Sequence, residues 1–226
     1  SFFALRDFVF AVIPLFVLMG EFVSRSGSAA DLYRVMNFGL KRIPGRLAVA
    51  TVAGNAVFAA VTGTSLASAA AFSRLAYPEM MKAGYSRRFA LGSVAGSACL
   101  GMLIPPSVLL IIWGIVTEIS IGFLFLAGIL PGLILSLLMA FYCSGFAILK
   151  PHLAPAVDLS NETLTRQEMI SGGGVIFLIV AVLGSIWVGL ATPSEAAALG
   201  ALFGLVLALI KGVRWDGIRE AIIDSG

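Results

Sequence analysis

Residues Leu47–Met81 read LAVATVAGNAVFAAVTGTSLASAAAFSRLAYPEMM: two small-residue apolar arms around a polar centre, Gly63-Thr64-Ser65-Leu66-Ala67-Ser68. Leu47–Thr62 and Leu66–Met80 each have the composition of a helix, but a helix of sixteen residues rises only about 24 Å against a hydrocarbon core of about 30 Å. A glycine and three hydroxyl side chains at the turn offer oxygen ligands where lipid offers none. The pattern predicts a re-entrant helical hairpin whose tip holds a polar species within the membrane.

The rest of the chain fits a membrane setting. Of 226 residues, 59% are hydrophobic and only 12% charged, roughly half the charged fraction of a soluble domain. With several apolar runs near the length of a spanning helix, the expected class is an all-α multi-pass integral membrane protein. The net charge of +3 sits in short loops between apolar runs, so it reads as a topological signal and not as affinity for nucleic acid. Cys99 and Cys143 lie inside apolar segments, and His152 is the sole histidine. That leaves no His/Cys/carboxylate cluster for a transition metal and no nucleophile–base pair for an intramembrane enzyme. The chain starts at Ser1 without an initiator Met, shows no signal peptide, and reads as a piece of a longer protein.

Outward from the hairpin, Phe8–Ser24 is expected to be a first crossing, with Pro14 as a kink and Glu21 near the interface. Ser28–Ile43 places Leu32, Met36, Leu40 and Ile43 at helical spacing among Asp31, Arg34, Asn37, Lys41 and Arg42, which suits a surface arm. Phe89–Thr117 reads as one long segment, with Gly92 and Gly96 at the spacing that lets helices approach closely. Pro105-Pro106 must break it, because two successive residues lack amide donors and each ring crowds the preceding turn. The carbonyls of Gly101–Pro106 then lose helical partners. Ile121–Leu149 is a further crossing, with Gly128 and Gly132 flanking Pro131. A polar loop over 151–174, with a capping run Ser160-Asn161-Glu162-Thr163, leads to crossings at Val175–Ala191 and Glu195–Ile210. Thr192 or Ser194 caps the latter, and Trp215–Ile223 forms a second surface helix.

Charge placement tests this map. Arg25, Arg34, Lys41, Arg42 and Arg46 precede the hairpin, and Lys82, Arg87 and Arg88 follow it. The positive-inside rule puts both groups in the cytoplasm, so the hairpin enters and returns on one side. The turns at Glu118-Ile119-Ser120 and Thr192-Pro193-Ser194-Glu195 carry no Lys or Arg and fall outside. The rule alone does not separate re-entry from two full crossings; the short arms and polar tip favour re-entry. Arg74, inside the hairpin, lies about 9 Å from the base of its arm and can snorkel to the surface. Hydroxyls and unpaired carbonyls suit sodium, a hard cation. Proton coupling instead calls for intramembrane acids, which are absent apart from the peripheral Glu21 and Glu79. The plainer reading is that the Ser and Thr side chains satisfy neighbouring backbone groups.

Six strings occur in family order: FVFAVIPLFVLMGE (8–21), TGTSLASAAA (62–71), PEMMKAGYSRRFA (78–90), LGMLIPPS (100–107), ISIGFLFLAGILPG (119–132) and ATPSEAAALGAL (191–202). In these the chain resembles the large membrane subunit of tripartite ATP-independent periplasmic (TRAP) transporters. The resemblance implies a sodium-driven, binding-protein-dependent importer of organic acids such as C4-dicarboxylates or sialic acid. It would reside in the cytoplasmic (inner) membrane of a bacterium or archaeon and work with a small membrane subunit and a periplasmic substrate-binding protein. It further implies an elevator fold of inverted repeats, residues 1–150 forming the first and 175–226 beginning the second. Carried onto this sequence, a sodium site falls at Ser65, Ser68, Gly101, Ile104 and Pro106, with Thr62, Gly63 and Thr64 lining the substrate pocket. Na+ is the coupling ion, and no organic cofactor, nucleic acid or enzymatic activity is expected; lipid is the surrounding medium. The family's large subunit is about twice this long, so the second hairpin is expected elsewhere. Arg74 stands where the family usually has a small or neutral residue. A non-transporting membrane scaffold for a partner protein is the alternative that the missing half leaves open.

Overall fold

A computed structural model describes residues 12–156 and 163–225. Ten α-helices run through them: α1 (Val12–Arg25), α2 (Ser28–Gly39), α3 (Arg46–Thr62), α4 (Ser65–Lys82), α5 (Arg87–Ala98), α6 (Val108–Thr117), α7 (Ile121–Leu149), α8 (Arg166–Trp187), α9 (Pro193–Ile210) and α10 (Trp215–Ser225). Between α5 and α6 lies a single 3-10 turn, Cys99–Met102. No strand occurs among the described residues. Three helices, α7, α8 and α9, are long and apolar enough to cross a membrane, and the protein is an all-α multi-pass membrane protein.

α3 and α4 form the hairpin. Gly45 and Gly63 bound α3 in the left-handed conformation, φ 69° and φ 64°, which glycine adopts without the steric penalty of a side chain. Gly63 donates its amide to the Ala59 carbonyl at 2.8 Å, and Thr64 caps α4 by accepting from the Ala67 amide at 3.4 Å. Phe72 seals the two arms. Its ring lies so close to Gly54 that a Cβ there would sit 2.7 Å from it, and it meets the rings of Phe58 and Tyr33 at 5.9 and 6.0 Å. Phe58 and Phe72 are fully buried.

α1 backs the hairpin on one side. A Cβ at Gly20 would lie 2.8 Å from the Thr62 Cα, so the end of α3 rests directly on the α1 backbone. α9 lies along α1, where Met19 fills the groove left by Gly200 and Gly204. Arg25 at the end of α1 pairs with Glu21 at 3.0 Å, Glu220 at 2.7 Å and Asp224, which ties down α10. On the other side α7 supports the break. Cβ atoms at Gly128 and Gly132 would meet the Leu103 carbonyl oxygen and the Ile104 Cγ1, each at 2.7 Å.

Several expectations are corrected. The segment 89–117 is not one helix broken only at its prolines: α5 ends at Ala98, and the 3-10 turn and a non-helical stretch, 103–107, precede α6. Small residues in the run from Gly92 to Cys99 weaken the helix before the prolines act. A Cβ at Gly92 would meet nothing within 4 Å and one at Gly96 only the end of Met139; of the glycine pairs four apart, Gly128/Gly132 seat Leu103 and Ile104 and Gly200/Gly204 seat Met19. α8 begins at Arg166, nine residues before Val175, and its cap is Thr165, whose amide donates to Glu168 Oε2 at 2.9 Å. Ser160-Asn161-Glu162 lie outside the described residues, as do Phe8–Ala11 of the first crossing. The α2 helix stops at Gly39, short of Ile43, and it is more than a surface arm. Asp31 and Asn37 lie on its buried side, Lys211 pairs with Asp31, and Gly172 of α8 packs on Leu32 and Val35. α9 starts at Pro193, two residues before Glu195, and Thr192 alone caps it in a reciprocal box: Thr192 N donates to Glu195 Oε2 at 2.7 Å and Thr192 Oγ1 accepts from Glu195 N at 3.4 Å.

Candidate functional site at the hairpin tip

The tip of the hairpin and the break between α5 and α6 meet through backbone. Val108 donates its amide to the Gly63 carbonyl at 3.2 Å. A Cβ on Gly63 would lie 2.8 Å from the Pro106 carbonyl oxygen, and one on Gly101 would lie 2.8 Å from the carbonyl carbon and oxygen of Thr64 and 2.9 Å from the Ser65 nitrogen. Glycine at 63 and 101 is therefore what allows the two segments to touch. The break stays open in part because Ser107 turns its hydroxyl back onto the Met102 carbonyl at 2.9 Å. Gly101, Pro105, Pro106 and Ser107 are all buried.

The expected site residues fall into three groups. Gly63, Thr64, Ser65, Gly101 and Pro106 come together at this joint. Ser68 is one turn further along α4, fully buried, and its hydroxyl has no hydrogen-bond partner. Ile104 is in the break, but its side chain turns to Gly132 of α7. The hydroxyl of Thr62 is occupied, donating to the Phe58 carbonyl at 3.2 Å, and that of Thr64 serves as the α4 cap.

The joint offers two electrostatic faces. The α4 and α6 helices both begin here, at Ser65 and Val108, and unpaired amides at helix starts favour an anion. Carbonyls at the end of α3 and along the break, with the Ser68 hydroxyl, supply the oxygens a hard cation takes. Burying a hydroxyl without a partner costs about 1–3 kcal/mol, so the Ser68 oxygen marks a place where a ligand would relieve a penalty.

Sequence reasoning missed one polar pair. Asn55 of α3 is fully buried and donates from Nδ2 to Ser97 Oγ of α5 at 2.6 Å. Ser97 in turn donates to the Ser93 carbonyl, also at 2.6 Å. The one amide side chain in the arm LAVATVAGNAVFAAVT was the available signal, since a buried amide must find a partner.

The family model for the tripartite ATP-independent periplasmic transporter, DctM component, matches residues 1–226. The chain belongs to this family. Among curated relatives of this DctM-family chain, the C4-dicarboxylate TRAP transporter large permease protein DctM of Pseudomonas aeruginosa is 34% identical over 224 residues, covering 98% of this chain and 52% of that protein. The ectoine TRAP transporter large permease protein TeaC of Halomonas elongata is 35% identical over 200 residues, 88% of this chain and 46% of that one. The isethionate TRAP transporter permease protein DctMQ of Oleidesulfovibrio alaskensis is 32% identical over 207 residues, 92% of this chain and 32% of its own length. The chain spans about half the length of the large permease proteins it matches.

Proposed function

We propose that this DctM-family chain is part of the membrane subunit of a sodium-driven, binding-protein-dependent importer of organic anions. It would act in the cytoplasmic membrane with a small membrane subunit and a periplasmic binding protein. Ser65, Ser68 and the carbonyls of Gly101, Ile104 and Pro106 hold the coupling Na+, and Thr62, Gly63 and Thr64 border the substrate. The observation that carries this reading is the fully buried, unpartnered Ser68 hydroxyl one turn behind a tip packed on a broken helix. The two converging helix starts support an anionic substrate next to the ion. The substrates for which the relatives are named, C4-dicarboxylate, ectoine and isethionate, are small and charged, which supports the class and leaves the choice to the rest of the system.

In this reading α3–α4 is a re-entrant hairpin entering from the cytoplasmic side, within the first of two inverted repeats, and the tip–break joint travels as a unit in an elevator movement. α3 has 17 residues, a rise of about 26 Å, which falls short of a full crossing. The test uses the full complex in proteoliposomes: Ser65→Ala with Ser68→Ala should raise the sodium concentration that half-saturates uptake roughly tenfold or more. Uptake with an unaltered sodium dependence would refute the site.

A further inference from the structure

The geometry points to a phosphate-ester headgroup site at the opposite end of the hairpin from its tip, between α2, α4 and the start of α8, with Arg74 as its principal anion ligand. A cavity of about 440 Å³ opens there, within the range of roughly 300–1,000 Å³ that small ligands occupy. Arg34, Arg74 and Lys82 contribute three positive charges to its lining, and Glu79 and Glu168 two negative ones. The pairing is uneven. Arg34 is held by Glu168, and Lys82 reaches Glu79 only at 4.0 Å. Arg74 has no ion-pair or hydrogen-bond partner among the described residues. A guanidinium with five donors and no acceptor suits two phosphate oxygens at once.

A second observation sets the kind of phosphate. Asn37 also lines the cavity; it is 94% buried, being 6% exposed, and its Oδ1 has no partner. An orphaned acceptor beside a loosely held carboxylate asks for a ligand that donates hydrogen bonds as well as accepting them. A phosphodiester bearing glycerol hydroxyls satisfies both sides, its phosphate on Arg74 and its hydroxyls on Asn37 and Glu79. A choline ester, with no donor, satisfies only the first. The same chemistry is available from phosphatidylglycerol in the bilayer and from a soluble glycerol phosphate. The position at a helix end rich in Lys and Arg is where anionic headgroups gather.

The experiment titrates detergent-purified full-length protein with dioleoyl phosphatidylglycerol and with dioleoyl phosphatidylcholine, counting bound lipid by native mass spectrometry. Phosphatidylglycerol should bind roughly tenfold tighter, Arg74→Gln should abolish that preference, and Asn37→Leu should reduce it. Arg219→Gln, on exposed α10, should leave it unchanged. In a second arm, millimolar glycerol phosphate competes with the lipid. Displacement that depends on Arg74 assigns the site to a soluble ester, and retention of Arg74-dependent lipid assigns it to the bilayer. Undiminished binding of both probes by Arg74→Gln overturns the proposal, as does an equal loss in Arg219→Gln, which would mean general charge attraction.

Discussion

Replacing Gly101 with alanine tests whether the tip and the break must touch. The new Cβ would lie 2.8 Å from the Thr64 carbonyl carbon and oxygen and 2.9 Å from the Ser65 nitrogen, all backbone atoms with no rotamer to change. An ordinary contact needs about 3.4 Å, so the tip must withdraw by about 0.6 Å. Overpacking of this kind costs about 1–3 kcal/mol. On the proposed sodium site that strain falls on the ion-bound state, and the half-saturating sodium concentration should rise by roughly 5- to 150-fold. Gly92→Ala is the matched control. Its Cβ meets nothing within 4 Å, and alanine adds up to about 1 kcal/mol of helix propensity, so stability should hold or rise with sodium dependence unchanged. The assay is sodium-dependent uptake by the full complex in proteoliposomes, with thermal unfolding of both variants in parallel. Gly101→Ala with the parent's sodium dependence and the parent's melting temperature would refute the close backbone joint.

Two further outcomes follow from packing and charge. Phe72→Ala, which empties a fully buried ring between Gly54, Phe58 and Tyr33, should cost about 3–5 kcal/mol. It should also remove hydrogen-exchange protection from α3 and α4 before the other helices; uniform loss of protection would deny that the ring acts locally. Lys211→Met leaves the Asp31 carboxylate, 9% exposed, without its partner and should cost about 3 kcal/mol. The double variant Asp31→Asn/Lys211→Met should melt higher than Lys211→Met alone, and strict additivity in that cycle would exclude a coupled pair.

The pairing of α3 and α4 about a turn was legible because its signals agree locally: a glycine and hydroxyls between apolar arms of matched length, which the structure sets as a left-handed Gly63 and a Thr64 cap. The α7 limits were legible to the residue, Ile121–Leu149, and so was the end of α9 at Ile210, whereas α9 starts at Pro193 and not at Glu195. What the sequence concealed depends on tertiary partners. The start of α8 carries Arg166, Gln167 and Glu168 before a triple glycine, a composition that hydropathy assigns to a loop. The helix persists because Thr165 and Glu168 cap it, Arg34 pairs with it and Gly172 lets α2 settle on it. Glycine spacing was equally ambiguous: three pairs four apart look alike in the chain, and only the neighbouring element decides which are contacts. Asp31 read as part of a solvated face because its partners, Gly172 of α8 and Lys211 just past α9, are distant in sequence. At the site, the residue types were readable at Ser65 and Ser68, whereas the turning of Ile104 toward Gly132 depends on where α7 passes.

The joint at Gly63 and Gly101 is built almost wholly from atoms that every residue shares. Most substitutions elsewhere on the surface of the hairpin can drift without altering it, because no side-chain identity is read there. At these two positions the opposite holds: any replacement adds at least a carbon, and the neighbouring backbone leaves no room for one. Mutational scanning of this region should therefore give two classes of position with little between them.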